Sequence, residues 1–296
     1  VTVLVVGEAL VDVVERAGTE PEPHAGGSPF NVAVGLARLD VATVLAAQVG
    51  DDRFGDGLRW HLTDSDVTLA ALDPTPERTS TARATLADDG SASYVFDLTW
   101  NPEALPDPTG FEAVHVGSLG TLIEPGADLL RQLVTSADAL GVPVSFDPNI
   151  RLTVEPDAGR WQQVFAAIAP HASIIKMSDE DAATLFPGED PVDIARRLSA
   201  DHGIVAITLG GEGSVVAAGG ALVTVPPADV RVVDTIGAGD SFMAAMLSWC
   251  ATYDWPAAGE LDEVELTDLA MYASSAAAIT CSRPGADPPR TSDLTP

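Results

Sequence analysis

Lysine is almost missing from this sequence. Of fifteen basic side chains in 296 residues, fourteen are arginine, and the exception is Lys176 in "SIIKMSDED". A Walker A loop requires Gly-Lys-Ser/Thr, and a protein-kinase site requires its own lysine in a Val-Ala-Ile-Lys strand. Neither context surrounds Lys176, so both architectures are excluded. No Gly-x-Gly-x-x-Gly follows the first strand-like run, which argues against a dinucleotide-dependent oxidoreductase. Cysteine is nearly as scarce. Cys250 and Cys281 lie in apolar, helix-like surroundings and read as buried thiols, too few for a disulfide framework.

Positive charge as a whole is short, with 44 acidic residues against 15 basic ones and a net charge of −29 at pH 7. Such a surface repels phosphate backbones and anionic lipid, so neither nucleic acid nor membrane is an expected partner. The acid is spread along the chain, as on a solvated surface. No apolar run is long enough to cross a bilayer, and the start, "VTVLVVGEAL", has neither a basic n-region nor a cleavage site. It reads as a first strand, and the expected location is the cytoplasm.

What is present is an alternation of strand-like and helix-like stretches in a chain that is 46% hydrophobic. Val3–Val6, Thr43–Val49, Ala113–Val116, Val142–Phe146, Ile174–Met177 and Ile204–Leu209 are buried-type strands. Helical stretches such as Asp128–Leu140 and Pro191–Ala200 follow several of them. In "GGSPFNVAVGLARLD", Ser28 reads as an N-cap with Pro29 at the first helical position. The alternation implies βαβ units and a doubly wound, mostly parallel sheet flanked by helices. "TSTARATLADDGSASYVF" breaks the rhythm and reads as a hairpin turning at Asp88-Asp89-Gly90, a small lid or else a surface ornament.

"DTIGAGDSF" carries the chemistry. Gly237, Ala238 and Gly239 can point successive N–H groups at one spot, where a helix dipole also favours an anion. Asp240 stands directly behind them and would repel that anion, unless the carboxylate works on a second molecule held beside it. In "HAGGSPFNVAVG", Gly26 and Gly27 allow close backbone approach, and Asn31 lies just inside a helix. Polar residues gather where strands end, at Glu8, Asp12, Asp147, Asn149 and Ser178 to Asp181, the edge where open α/β sheets bind ligands.

These motifs, with "VVGEALVD", "VGDDRFG", "FDPNIR", "ITLGGEGS" and "SRPGADPP", make the chain resemble the ribokinase-like carbohydrate kinases, in their fructokinase branch. The resemblance implies one α/β domain over 1–296 with a β-lid formed roughly by 9–24 and 78–100. It implies phosphorylation of a primary alcohol by ATP with Mg²⁺, with K⁺ and a homodimer as further expectations. Asp240 matches the catalytic base, and Gly237, Ala238 and Gly239 the anion hole. Asp12, Gly26, Gly27, Asn31, Phe96, Asn149 and Arg151 are placed with the sugar. Lys176, Ser178, Thr208, Gly210, Gly213, Ala278, Cys281 and Gly285 are placed with the nucleotide.

For metals, Asp234 and the carbonyl of Ile236 match a monovalent-cation site. Asp181 stands where relatives carry a glutamate ordering the Mg²⁺ water shell, with Glu180 as the alternative, and Ser178-x-x-Asp181 is also a plain capping-box pattern. Leu10 replaces the Asn of ribose-specific members. Phe96 replaces the lid arginine of 2-keto-3-deoxygluconate kinases, which favours a neutral ketohexose, although Arg83 or Arg151 could supply a cation instead. A binding protein without turnover is disfavoured because Asp240 and the three residues before it are intact.

Overall fold

The structure is a computed structural model describing residues 1–16, 21–86, 92–253, 255 and 261–294. The first third runs β1 (Thr2–Val6), β2 (Leu10–Arg16), β3 (Glu22–Gly26), α1 (Ser28–Arg38), β4 (Ala42–Ala47), α2 (Arg53–Asp64), β5 (Thr68–Ala71), β6 (Ser80–Leu86) and β7 (Ala92–Asp97). Next come β8 (Ala113–Gly117), α3 (Gly126–Ala139), β9 (Val144–Asp147), α4 (Ala158–Ile168), β10 (Ile174–Ser178), α5 (Asp179–Leu185) and α6 (Pro191–Leu198). The chain closes with β11 (Ile204–Thr208), β12 (Ser214–Ala218), β13 (Ala221–Val225), α7 (Ala238–Thr252), α8 (Glu263–Cys281) and α9 (Thr291–Leu294).

Nine strands form one sheet in the order β13-β12-β11-β10-β9-β8-β1-β4-β5. From β5 to β11 every pair is parallel, while β12 and β13 join antiparallel at the edge. The expected doubly wound, mostly parallel sheet is therefore what forms. Its strands are continuous apolar runs because both faces are covered. Val3 and Val5 point into a core with Phe242 and Met246, whereas Leu4 and Val6 point into the opposite core with Leu130 and Trp161. Helix α7 is buried from Asp240 to Cys250 and packs against α1 and α8. Among the described residues no helix is long and apolar enough to cross a membrane.

A second sheet, in the order β3-β2-β6-β7, branches from the first where β1 passes through Gly7 into β2. Strands β6 and β7 pair antiparallel as the expected hairpin, whose turn at Asp88-Asp89-Gly90 lies outside the described residues. Its partners β2 and β3 fall in the stretch that the resemblance gives to the lid, but local pattern did not show them as strands, because "LVDVVER" mixes charge with apolar residues even though Val11 and Val13 join the core with Phe30. Asp52 anchors the smaller sheet at its base. Its carboxylate caps α2 through Gly55 N at 2.8 Å and also accepts from Thr79 N at 3.0 Å and Thr79 Oγ1 at 2.7 Å. Partial burial would raise Asp52, but the Thr79 hydroxyl and these amides outweigh it and hold the carboxyl below its usual range.

Asp52→Ala removes a helix cap and the tie to β6 together. The expected loss in urea unfolding is about 1–2 kcal/mol. A midpoint equal to the parent protein's would show that Thr79 is held by other contacts.

Candidate active site

The carboxyl ends of the parallel strands converge on the first turn of α7. Gly237 is the N-cap at φ 75°, a left-handed conformation suited to glycine, and a methyl on it would lie 2.6 Å from Ala286 Cβ. Ser241 N donates to Gly237 O at 2.8 Å, which closes the first helical turn. Helix geometry leaves the preceding amides without acceptors in their own helix. Ala238 N–H, one of the expected cradle, turns to Thr235 O at 3.3 Å, while the amides of Gly239 and Asp240 stand in the first turn, where their own helix offers no acceptor.

The Asp240 side chain is 6% exposed and accepts from three neutral donors. Ser28 Oγ lies 2.7 Å from Oδ1, Asn31 Nδ2 2.8 Å from Oδ2, and Asn149 Nδ2 3.2 Å from Oδ1. Ser28 is thus not the N-cap its sequence position promised. Gly27 takes that place at φ 98°, and the Ser28 hydroxyl, one residue into α1, turns to Asp240 instead. Asn149 sits at φ 39°, a left-handed conformation that asparagine tolerates better than most residues, and its amide group reaches back to the aspartate.

Around this carboxylate the electrostatics are unusual for an acidic protein. Lys176, expected beside the nucleotide, is only 3% exposed and donates to Asp147 Oδ2 at 2.9 Å. Burial pushes Asp147 up to about 6 even though the ammonium pulls the other way. Burial alone would lower Lys176, but Asp147, Asp181 and Asp240 outweigh it and hold the ammonium above its ordinary value. His115 is driven down to about 3 by burial and by the Lys176 charge, so it is neutral, with Nδ1 2.9 Å from Ser145 Oγ. Glu8, after β1, accepts from Gly120 N at 2.8 Å across the point where strand order reverses, and burial raises it to about 7.

Residues expected at the sugar fall at the junction of the two sheets. Asp12 on β2 is half-buried. Burial raises its carboxyl, Arg151 and His24 oppose that, and Asp240 adds to it. Gly26 lies against Asp12, since a methyl there would collide with Oδ2, and a methyl on Gly27 would lie 2.7 Å from Glu8 O. Phe96 is half-buried on β7, whereas Arg151 is exposed and bonds its neighbour's carbonyl, Ile150 O, at 3.1 Å.

The nucleotide residues fall along the ends of β11, α7 and α8. Thr208 closes β11, and Gly210 and Gly213 take φ 54° and 98° in the turn beyond it. A methyl on Gly210, Gly211 or Gly285 would meet no heavy atom within 4 Å, so these backbones border open space. Ala278 and Cys281 are half-buried on α8, and only Cys250 is the fully buried thiol the composition led one to expect of both. Asp234 accepts from Ile236 N at 3.1 Å and Gly285 N at 2.9 Å, and these amides hold it below the usual range despite some burial. It ties the Gly285 turn to the loop that leads into α7.

Asp181 is 6% exposed, and both its oxygens are engaged, by Ile150 N at 2.8 Å and Ser178 N at 3.0 Å. With Ser178 Oγ accepting from Asp181 N at 3.0 Å, the pattern is a complete capping box. Among the described residues no three His, Cys, Asp or Glu side chains are grouped to hold a metal directly. Sequence reasoning passed over Ser28 as a partner of Asp240 and Asp147 as the partner of Lys176. The first had a signal, since Ser28 and Asn31 are three apart on one helix face. The second pairing joins different strands and had none.

Comparison with known proteins fits this geometry. The model of the pfkB family carbohydrate kinases matches residues 2–293. A fructokinase from Klebsiella pneumoniae is 33% identical over 262 residues, covering 85% of this chain and 85% of its own. A double mutant of fructokinase from Vibrio cholerae, solved with fructose, ADP and potassium ion, superposes at TM-score 0.82 with 26% identity over 99% of this chain and 96% of its own. A fructokinase from Xylella fastidiosa with bound ATP gives TM-score 0.81 and 25% identity over 99% and 96%. A match along nearly the whole chain, with the buried aspartate at a glycine-led helix start, means that this chain belongs to the pfkB family of carbohydrate kinases and is an ATP-dependent sugar kinase.

Proposed function

We propose that the acceptor is a neutral ketohexose, fructose, converted to fructose 6-phosphate. The observation that carries this reading is Asp240, buried at the start of α7 beside the open amides of Gly239 and itself, and facing the sugar-side residues Asn31 and Asn149. The relatives bearing the name fructokinase, and a neighbour holding fructose and ADP, support the choice of sugar. Phe96 on the smaller sheet, where an acid substrate would call for a cation, supports it further.

In this reading the sugar hydroxyl lies between Asp240 and the γ-phosphoryl group of ATP. Its oxygen bonds to the γ-phosphorus, the bond to the β–γ bridging oxygen breaks, ADP leaves, and Asp240 takes the hydroxyl proton. The amides of Gly239 and Asp240 receive charge on the transferring group. Asp12, Asn31 and Gly27 orient the sugar, and the smaller sheet acts as a lid. ATP lies along Thr208, Gly210 and Gly213 against Ala278, Cys281 and Gly285, where the open space beside Gly210 and Gly285 leaves room.

Mg²⁺ on the ATP phosphates supplies charge neutralisation in such sites. With both Asp181 oxygens already on amides, we assign that residue, or Glu180 in its place, to the ion's water shell rather than to direct ligation. Asp234 and Ile236 O are the residues we assign to K⁺, and a homodimer working in the cytoplasm completes the proposal.

Asp240→Asn should keep ATP and sugar binding while kcat falls by about 10²–10⁴, the usual worth of a positioned base. Near-normal turnover would remove Asp240 from that role. Asp12→Ala should raise the sugar KM and leave the KM for ATP unchanged; an unaltered sugar profile would make Asp12 structural. A coupled ADP-release screen over fructose, ribose, 2-keto-3-deoxygluconate, a nucleoside and fructose 6-phosphate should single out fructose. Turnover of the keto acid with fructose inert would overturn the argument from Phe96.

A further inference from the structure

Among the described residues the buried charged side chains are Glu8, Asp147, Asp181, Asp240 and Lys176. Four are carboxylates, which lie at or just beyond strand ends or in the first turn of α5 or α7, and one is a cation, Lys176, in the middle of β10. The single lysine of the chain is therefore also its single buried cation among these residues. Its ammonium does more than meet Asp147. A methyl on Gly239 would lie 2.8 Å from Lys176 Nζ, so the charge is packed directly against the backbone whose amide opens toward the transferring group. An ammonium is a compact point charge, and the gap between Asp147 and Gly239 suits it better than a planar guanidinium with five donors. That gives a physical reason for lysine here in a chain whose other cations are all arginine.

Phosphoryl transfer requires the Asp240 carboxylate and the γ-phosphoryl anion to approach each other where Asp147 and Asp181 are also buried. The groups facing Lys176 are Asp147 of β9, Asp181 of α5, Asp240 of α7 and the neutral His115 of β8. A fixed cation that needs no reorganisation during reaction lowers the repulsion among such groups. We infer that Lys176 is a positioning residue for phosphoryl transfer: held by Asp147 behind Gly239, its ammonium is the buried positive charge against which the Asp240 carboxylate and the transferring group are brought together. The inference rests on the reading of Asp240 as base and of the α7 amides as the anion cradle. The rival is that Lys176 only neutralises Asp147, since a buried pair broken on one side is strongly destabilising.

Comparing Asp147→Asn with the double variant Asp147→Asn/Lys176→Met separates the two, because both lack the carboxylate and only one keeps the ammonium. All forms are assayed with whichever sugar the parent enzyme turns over fastest, so failure of the fructose reading leaves the comparison intact. Asp240→Asn is run alongside, and its retention of turnover would expose a failed premise separately. Asp147→Asn, which loosens the hold on Lys176, should lower kcat only in part, and the double variant should fall at least about 10²-fold below it, the scale of one preorganised electrostatic group. Its KM values for ATP and sugar should stay within about threefold, and its thermal midpoint close to that of Asp147→Asn. Lys176→Met alone, followed by circular dichroism, should lose as much kcat as the double variant. Equal kcat in Asp147→Asn and the double variant would overturn the inference, as would recovery of kcat on adding Asp147→Asn to Lys176→Met. A loss carried by the KM for ATP rather than by kcat would also overturn it, by making Lys176 a nucleotide contact.

Discussion

A carboxylate withdrawn from water must be given donors, and the placing of Asp240 is the constraint around which this fold is arranged. The aspartate begins a helix that is buried from Asp240 to Cys250, so it has little access to solvent. The donors that replace water are neutral and come from two separate elements: Ser28 and Asn31 on α1, and Asn149 after β9. Neutral donors stabilise the carboxylate without forming an ion pair that would fix it in place. They do so only because α1 packs against α7, so the active-site geometry and the core between these helices are one feature.

The balance of charge at the site differs from that of the whole chain. A protein of net charge −29 receives an anionic nucleotide, and it does so without the lysine loop other phosphate binders use. In the proposed reading, attraction is local and comes from backbone dipoles at the α7 N-terminus, which act over the first turn. Gly237 and Gly239 matter here as backbone that can approach closely. The first turns at φ 75° against Ala286, and the second leaves room for the Lys176 ammonium behind it.

The smaller sheet is attached at a few defined points. Asp52 holds Thr79 at the base of β6, and Ser80 Oγ accepts from Thr99 N at 3.0 Å where β7 returns. Asp12 is on this sheet while Asp240 is on the main body, and the Asp240 charge adds to the rise that burial gives the Asp12 carboxyl. Glu8, joined to Gly120 across the switch point, fixes the segment where the chain leaves one sheet for the other.

The amino-acid sequence by itself determined the parallel core and the place of the aspartate. Runs such as Val3–Val6 and Ile174–Met177 are apolar at every or nearly every position because both faces are covered, and a local pattern suffices to read that. The glycines before Asp240 were legible for the same reason, since a tight helix start is a short-range property. "SVVAAGGALVTV" also held a short-range signal, a Gly-Gly turn at φ 55° and 100° joining β12 to β13, that was passed over. Only the tertiary structure decided that Ser28 serves Asp240 rather than its own helix, that Asp181 also accepts from Ile150 N, and that Lys176 meets Asp147 and Gly239. Those partners lie up to 212 residues apart, as Ser28 and Asp240 do. The physical reason is that which donors and charges share a dry space is set by packing, which no local pattern along the chain encodes.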